Sequence, residues 1–326
     1  MKDTVTYKSN QRGKCLWQAV CVLCVIWITD NGRPKERRYH NMLLKSKLNS
    51  GKFAILAETE PPKGTDVSGM VGNATKVKGR VDAFVVPEMS NAVMRMSALG
   101  GAVMLQMKGM ETVMQVCCRD RNRLALQADL LAAAACGIPN IMAVAGEDPK
   151  LGDHHQTRPV YDINLLELLE AIKGLKQGKD MAGVELNSSP DFLVGSMINA
   201  AASAPELEAE EMNRKTEAGT DFFITPPLFD LPSIEPFLRR ADKAKLIPTV
   251  LLLKSVGMAR YIDRNMDHIH ISRPLISRIQ KAGDKVRECV LVAAETVSEL
   301  RKEGFAGALI STLGWENKLP EILEKI

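Results

Sequence analysis

The chain has 326 residues, of which 45% are hydrophobic and 25% charged, so it can bury a sizeable core and is not expected to be disordered. Its formal net charge of +4 is too small to predict a nucleic-acid-binding protein, although anionic small molecules remain candidate ligands. Seven unevenly spaced cysteines favour free thiols in a reduced, cytoplasmic protein over a disulfide framework.

The N-terminal part of the chain differs from the rest, and we assign residues 1–48 to an atypical extension and residues 49–326 to one catalytic domain. The apolar run "CLWQAVCVLCVIWI" at 15–28 resembles the core of a signal peptide. It is too short to span a bilayer and no small-residue cleavage site follows it, so no membrane segment is predicted, and a secretory signal remains the alternative. Cys21 and Cys24 have the spacing of half a zinc or redox site, without further ligands nearby.

From residue 53 onward, short apolar runs alternate with longer helical patterns. The runs are apolar nearly throughout, as expected for parallel strands that are covered on both faces. Eight candidate strands lie at 53–58, 82–86, 112–116, 140–145, 192–198, 221–225, 248–253 and 307–312. Eight βα units predict an α/β fold of the (β/α)8 TIM barrel type, with a doubly wound open sheet as the alternative.

Five helices are predicted between these strands. The clearest spans 120–136, with Asp120 as its N-cap and with Gly137 and Pro139 at its end. The others lie at 162–176, 205–218, 231–244 and 284–303.

Polar residues follow most of the predicted strands. TIM-barrel enzymes place their chemistry on the loops at the C-terminal ends of the strands, so these residues are candidates for the site. They are Glu58, Glu88, Arg119, Asp120, Glu147, Asp148, Asn199 and Lys254.

Three arginines, Arg119, Arg121 and Arg123, stand at a predicted helix N-terminus, where the helix dipole favours anions rather than cations. They could bind a phosphate or carboxylate ligand, or they could form ordinary ion pairs with Asp120 and Asp129.

After the fourth strand, Gly146 allows a close approach of the backbone, and Glu147 and Asp148 follow it; a simple turn with capping acids is the alternative. His154 with His155, and His268 with His270, lack a third ligand at metal spacing, so no metal site is predicted. The chain has no GxGxxG, Walker A, GxSxG or HExxH motif, which disfavours Rossmann dehydrogenases, P-loop NTPases, serine hydrolases and zincins.

Four segments occur in an order and at a spacing that resemble the methylenetetrahydrofolate reductases, in particular the bacterial type that consists of the catalytic barrel only. They are "AETEPPKG", "MQVCCRDRNRLALQADLLAAAACGIPNIMAVAGEDP", "GDH" and "PVYDIN". The resemblance runs from about residue 50 to the "GWENKLPEIL" tail and implies a (β/α)8 barrel with FAD at its C-terminal mouth.

The resemblance also implies a reaction, the flavin-dependent reduction of 5,10-methylenetetrahydrofolate to 5-methyltetrahydrofolate in one-carbon metabolism. The family's general acid falls on Glu58, three residues before Pro61, and Glu60 would be a secondary acid at the rim. A carboxyl group in a mostly apolar mouth can have a raised pKa and so hold a proton near neutral pH. The acidic residue that tunes the flavin falls on Glu147, where the family usually has aspartate, and Asp148 is the alternative.

The resemblance assigns further residues to ligand binding. Those expected to contact FAD are Gln115, Cys117, Arg119, Gly146, Glu147, Tyr161, Asn199, Arg214 and Lys215. Those expected to contact the folate are Glu58, Thr225 and Lys254. From the residues alone, Arg214 and Lys215 would be a solvated helix face.

Two departures from the family pattern lie in the expected site. Pro226 replaces a glutamine that hydrogen-bonds the pterin, so recognition must come from elsewhere, with Thr225 and Asn199 as candidates. Pro87 and Glu88 replace a small hydroxyl residue and an aspartate beside the flavin.

The alternatives to a reductase are a barrel that binds FAD or folate as a weakly active subunit of a one-carbon complex, and a different flavin-barrel oxidoreductase. Electrons would come from NAD(P)H or from an electron-transfer partner protein, and a homo-oligomer or a complex is expected. No nucleic-acid or membrane partner is predicted.

Overall fold

The computed structural model describes residues 43–326. Eight strands form a closed barrel in which each strand pairs in parallel with its sequence neighbours and β8 pairs with β1. The strands are β1 Ala54–Glu58, β2 Ala83–Val86, β3 Thr112–Cys117, β4 Asn140–Val144, β5 Leu193–Met197, β6 Phe222–Pro227, β7 Leu246–Leu251 and β8 Gly307–Ser311. The predicted (β/α)8 TIM barrel is confirmed, and the open-sheet alternative is wrong because no edge strand remains.

Eleven α-helices accompany the strands within the described residues. They are α1 Leu43–Asn49, α2 Ser68–Lys76, α3 Ala98–Gln106, α4 Arg123–Ala135, α5 Leu165–Lys176, α6 Pro205–Glu217, α7 Glu235–Leu238, α8 Val256–Asn265, α9 Arg273–Lys281, α10 Lys285–Lys302 and α11 Leu319–Leu323.

The strands bury both of their faces, which explains their continuous apolar sequence. Inward side chains such as Leu56, Val85 and Met142 fill the barrel, whereas outward ones such as Phe84, Val116 and Ile310 pack against the helices. The barrel interior is therefore a packed core, and the polar residues at the strand ends form its mouth.

Helix α1 packs against the opposite, N-terminal end of the barrel. Leu44 is fully buried there, the backbone N–H groups of Leu43 and Leu44 donate to the Glu111 carboxylate, and Lys47 pairs with Asp82 at 2.7 Å. Residues 43–48, which the sequence analysis assigns to the extension, thus contact the barrel. The division of the chain at residue 48 stays a prediction, and the apolar run at 15–28 lies outside the described residues.

Two predicted helices are wrong in detail. The fourth helix begins at Arg123 because the Asn122 side chain, rather than Asp120, accepts the Ala125 N–H at 3.0 Å. The single helix predicted at 231–244 is broken into two 3₁₀ turns, 231–234 and 243–245, around the short α7. Pro236 lacks the N–H that would bond to the Pro232 carbonyl in a continuous α-helix, whereas Pro232 lies in the first turn, where helices tolerate proline.

Candidate active site

Glu58 is the last residue of β1, and its side chain enters the barrel mouth beside the end of β8. The Ser311 hydroxyl donates a hydrogen bond to Glu58 Oε1 at 2.8 Å. Burial raises the pKa of Glu58, the Ser311 hydrogen bond opposes that rise, and the charges of Glu60 and Glu316 add to it. The site therefore favours a carboxyl group that keeps its proton.

Glu60 differs from Glu58 although it lies only two residues away. Its carboxylate forms an ion pair with Arg95 of the loop after β2, at 2.8 Å. Because this ion pair already occupies its carboxylate, Glu60 is less available than Glu58 to a ligand in the mouth.

The loops after β7 and β8 meet at the same edge of the mouth. The Lys254 ammonium donates to the Leu313 carbonyl and lies 5.3 Å from the centre of the Trp315 ring. Leu313 has a φ of +47° and is followed by Gly314 at +86°, so this loop turns sharply directly after the serine that binds Glu58.

Arg119, which follows β3, is the largest fully buried side chain of the structure and is only 2% exposed. It forms a two-pronged ion pair with Asp120, at 2.7 and 2.8 Å, and a longer contact with Glu147 at 3.4 Å. It also donates to the backbone carbonyls of Glu147 and Met89. Arg119 thereby fastens together the loops after β2, β3 and β4, and its donors are all in use.

Glu88 is buried beside this arginine network. Its carboxylate accepts the Ala98 N–H at the start of α3 at 2.8 Å and pairs with Arg121 at 3.1 Å. Burial raises the pKa of Glu88, and Arg121 and the Ala98 N–H oppose the rise. The Glu88 backbone N–H donates to the Gln115 Oε1 atom at 3.1 Å, which directs the amide nitrogen of Gln115 away from it, towards Met142.

Cys117 and Cys118 are buried at the end of β3. Burial raises the pKa of Cys117 to about 12 and that of Cys118 to about 11, so both stay thiols at neutral pH. The Cys117 thiol donates to the Ala145 carbonyl at 3.4 Å, which links β3 to the loop after β4.

Gly146 occupies a position where any side chain would be strained and would displace its neighbours. Its φ is +93°, and a Cβ atom there would meet Cys117 Sγ at 2.4 Å and Arg119 Cβ at 2.8 Å. The Tyr161 hydroxyl donates to the Gly146 carbonyl at 3.2 Å, while the tyrosine side chain stays 44% exposed. Glu147 is half-exposed beside it.

The ends of β5 and β6 form a narrow cleft. Its polar lining includes Asn199, Thr225, Ser233, His268 and His270. The Thr225 hydroxyl donates to the Pro226 carbonyl at 2.9 Å, and the Asn199 Oδ1 atom accepts the Ala201 N–H at 3.3 Å. The cleft brings the two predicted substitutes for the missing glutamine to the same place as Pro226.

The basic pair on α6 is divided between two environments. Lys215 is 7% exposed and its ammonium donates to the Met197 carbonyl at the C-terminal end of β5, at 2.9 Å. Arg214 lies on the outer surface, where it pairs with Glu211 at 2.7 Å.

A protein-family model described as methylenetetrahydrofolate reductase matches residues 43–326. The chain belongs to the methylenetetrahydrofolate reductase family. This confirms the resemblance and supports an oxidoreductase. A search of curated proteins found no match.

Solved structures share the fold of this methylenetetrahydrofolate reductase family member at low sequence identity. A crystal structure of 2,3-dimethylmalate lyase has a TM-score of 0.52 and 9% identity, over 89% of this chain and 83% of that chain. Oxaloacetate acetylhydrolase in complex with 3,3-difluorooxalacetate has a TM-score of 0.52 and 10% identity, over 88% of this chain and 84% of that chain. EDTA monooxygenase from Chelativorans sp. BNC1 has a TM-score of 0.50 and 10% identity, over 83% of this chain and 92% of that chain. These similarities concern the fold alone.

The residues that the family resemblance assigns to the site fall into separate contact groups. Cys117, Arg119, Gly146, Glu147 and Tyr161 are joined by direct contacts, and Glu58 and Lys254 both bind the segment 311–313. Asn199 and Thr225 share the cleft at β5 and β6, whereas Arg214 faces outward. The roles of all these residues in ligand binding stay predictions.

Ser311 and Arg95 contact the two acids of the β1 motif but are not among the residues predicted from the sequence. Closure of the barrel gives the signal that could have found Ser311, because the last residue of an eighth strand lies beside the last residues of the first. Asp153 is a further unpredicted residue. It accepts the Met94 N–H at 3.0 Å and pairs with Lys63, so it connects the loops after β1, β2 and β4.

Two further findings hold within residues 43–326. No helix there is long and apolar enough to cross a bilayer, and no cluster of three or more His, Cys, Asp or Glu side chains could hold a metal ion.

Proposed function

We propose that this protein reduces 5,10-methylenetetrahydrofolate to 5-methyltetrahydrofolate with FAD, and that Glu58 is its general acid. The observation that supports this most directly is the environment of Glu58. A carboxyl group partly buried at the end of a barrel strand, with one neutral donor and two acidic neighbours, retains a proton to a higher pH than an exposed glutamate.

The role of Glu58 is the opening of the five-membered ring that carries the one-carbon unit. Its Oε–H bond breaks, the proton moves to a ring nitrogen, and that nitrogen keeps the electron pair of the C–N bond that opens. The carbon becomes an iminium with the other nitrogen, and Glu58 is left as a carboxylate beside Ser311. Glu60 is less suited to this role because its carboxylate is already paired with Arg95.

The residues at the mouth fit a flavin nucleotide. The Lys215 ammonium is a candidate cation for a phosphate, although it already contacts the Met197 carbonyl and, at 3.5 Å, Glu211. The Gln115 amide nitrogen faces away from Glu88, and the exposed Tyr161 ring offers an aromatic surface. Arg119 is not suited to direct contact with FAD, because its donors are occupied. It would position Glu147 and Gly146 instead. When bound, FAD would supply the hydride for the one-carbon unit.

A weakly active FAD- or folate-binding barrel is the second candidate, and Pro226 favours it. A proline side chain can neither donate nor accept a hydrogen bond, and the Thr225 hydroxyl already donates to the backbone. The presence of Glu88 in place of aspartate supports the second candidate less, because the Glu88 carboxylate has a structural role: it accepts the N–H of Ala98 at the start of α3 and pairs with Arg121.

The test uses the purified full chain loaded with FAD. The flavin is photoreduced without oxygen and its reoxidation is followed after methylenetetrahydrofolate is added, for the wild type, Glu58→Gln and Glu60→Gln. We expect Glu58→Gln to slow reoxidation roughly 10²–10⁴-fold, the range of general acid catalysis, and Glu60→Gln to have a much smaller effect.

Three outcomes are separable. Equal slowing in both variants would reject Glu58 as the particular acid. Wild-type flavin that binds and stays reduced would reject the reductase in favour of the weakly active barrel. Failure to bind FAD would reject the reductase and would leave only a folate-binding form of the second candidate. Reoxidation by NAD(P)⁺ or by an electron-transfer protein then identifies the electron donor.

A further inference from the structure

Ser311 is held more firmly than a serine on a loop would be. It is the last residue of β8 and is 3% exposed. Its backbone pairs with Leu251 of β7, and its carbonyl accepts the Leu252 N–H at 2.8 Å. The hydroxyl that reaches Glu58 is therefore carried by a fixed strand end.

The contact between Ser311 and Glu58 distinguishes the two carboxyl oxygens. Within residues 43–326, the Ser311 hydroxyl is the one hydrogen-bond donor to this carboxyl group, and it reaches Oε1. An oxygen that accepts a hydrogen bond is the poorer place for the acidic proton, since the proton and the donor would compete for the same side of the atom. The proton is then favoured on Oε2.

We propose that Ser311 is a positioning residue that fixes the Glu58 carboxyl group, with Oε1 as acceptor and Oε2 as the oxygen that carries the proton. This inference rests on the proposed function only for its catalytic consequence. The hydrogen bond and its effect on the Glu58 carboxyl group can be measured without folate or flavin.

Charged groups around Glu58 also affect the ionisation of its carboxyl group. Glu60 on the loop after β1 and Glu316 on the loop after β8 both disfavour the ionised form. Arg95 pairs with Glu60, and Lys254 binds the Leu313 carbonyl on the adjoining loop. Ser311 is the one neutral donor in this set, so its removal should raise the pKa of Glu58 further.

A purely structural role for Ser311 is the alternative, and the chain offers a matched control. Ser196 is also buried near the end of a strand, but its hydroxyl donates to the Ala143 carbonyl at 3.1 Å and not to a carboxyl group. Ser311→Ala and Ser196→Ala therefore delete the same atom from similar surroundings, and only the first touches an acid.

The experiment is infrared spectroscopy of the full-length protein as a function of pH. The carbonyl stretch of a protonated carboxyl group that disappears in Glu58→Gln belongs to Glu58. We expect Ser311→Ala to shift the frequency of this band and to move its titration midpoint to higher pH. Ser196→Ala should leave both unchanged, and Ser311→Thr, which keeps the hydroxyl, should restore both.

A catalytic readout follows the spectroscopic one. In the active enzyme, Ser311→Ala should lower kcat roughly ten- to a hundredfold, as misplacement of a catalytic group does, with KM little changed. The limb of the pH profile that reports the acid should move in the same direction as the infrared midpoint.

Unchanged frequency and midpoint in Ser311→Ala, or the same change in Ser196→Ala, would overturn the proposal. Should Ser311→Ala not fold, Ser311→Cys retains the volume with a weaker donor and must shift the band in the same direction. If wild-type reduced flavin fails to react with methylenetetrahydrofolate, the proposed function fails, whereas the infrared result still decides the role of Ser311.

Discussion

The two sides of the barrel mouth each have a glutamate at or just after a strand end, the partly buried Glu58 and the buried Glu88, but they use it differently. On the β1–β8 side, Glu58 has one neutral donor, Ser311, and acidic neighbours. On the β2–β4 side, Glu88 has Arg121 and a helix N–H. Burial raises the pKa of both, yet only Glu88 has a cation within contact distance to hold it ionised.

The difference indicates that one side of the mouth stabilises the loops, whereas the other side holds the candidate catalytic acid. The β2–β4 side, with Arg119, Arg121 and Glu88, connects loops and a helix end through charges that are already paired. The β1–β8 side leaves one carboxyl oxygen without a protein partner among the described residues. A buried charge with its partners in place holds structure, whereas a buried acid without a cation is able to exchange a proton.

The largest effect is expected from Arg119→Leu on the β2–β4 side. The change leaves Asp120 and two backbone carbonyls without their buried partner, and breaking such a buried pair costs about 3–5 kcal/mol in the free energy of unfolding. Arg123→Leu is the control, because Arg123 pairs with Asp162 on the surface. Urea unfolding of both variants measures the difference, and equal losses would show that the network does not hold the loops.

Gly146→Ala should have the next largest effect on the same side. A positive φ and contacts at 2.4 and 2.8 Å combine backbone strain with overpacking, for a loss of about 2–4 kcal/mol in the free energy of unfolding. Gly137→Ala is the control, since Gly137 also has a positive φ, +81°, but nothing lies within 4 Å of its added Cβ. Its loss should be about 1–2 kcal/mol, from the backbone alone. Similar losses at both positions would mean that Cys117 and Arg119 move aside at little cost to make room for the added methyl group.

Glu88→Gln and Glu58→Gln compare the two acids directly. At pH 7, Glu88→Gln should lower the free energy of unfolding by about 1–2 kcal/mol, because the ion pair with Arg121 is lost and the bond to the Ala98 N–H is weakened. Glu58→Gln should not lower it, because no cation loses a partner. Thermal unfolding of the two variants provides the measurement. A greater loss for Glu58→Gln would reverse the assignment of the two sides.

The sequence predicts the barrel well because burial on both faces leaves a continuous apolar signature in each strand. It predicts the region 231–244 poorly, since Pro236 breaks a pattern whose apolar spacing alone fits a helix. It also places the start of α4 at Asp120. Asp and Asn are comparable N-caps, and the sequence does not show that the Asp120 carboxylate is bound by the buried Arg119 while Asn122 caps the helix.

The candidate site is predicted most directly where a residue's role depends on its own strand. Glu58 follows from its position at the end of β1. Ser311 does not, because its partner lies 253 residues away along the chain and meets it only through closure of the barrel. The structural role of Glu88 likewise does not follow from its own strand, since it depends on contacts with Arg121 and with the start of α3.

The smallest effect is a dependence of stability on pH that belongs to Glu58. Its folded pKa is raised above the ordinary value near 4.5, so the folded protein binds more protons than the unfolded chain between these two values. The free energy of unfolding must therefore fall as the pH rises through that window. Glu58→Gln removes this contribution: it should match the wild type below the window and exceed it above.

Subtraction of the two stability curves isolates Glu58 from Glu88, whose raised pKa gives a slope of the same sign in both proteins. A difference curve that rises with pH indicates a buried acid that holds its proton. A flat curve would mean that the ionised form of Glu58 is as well stabilised as it is in water, and Ser311 alone would then have to offset its burial.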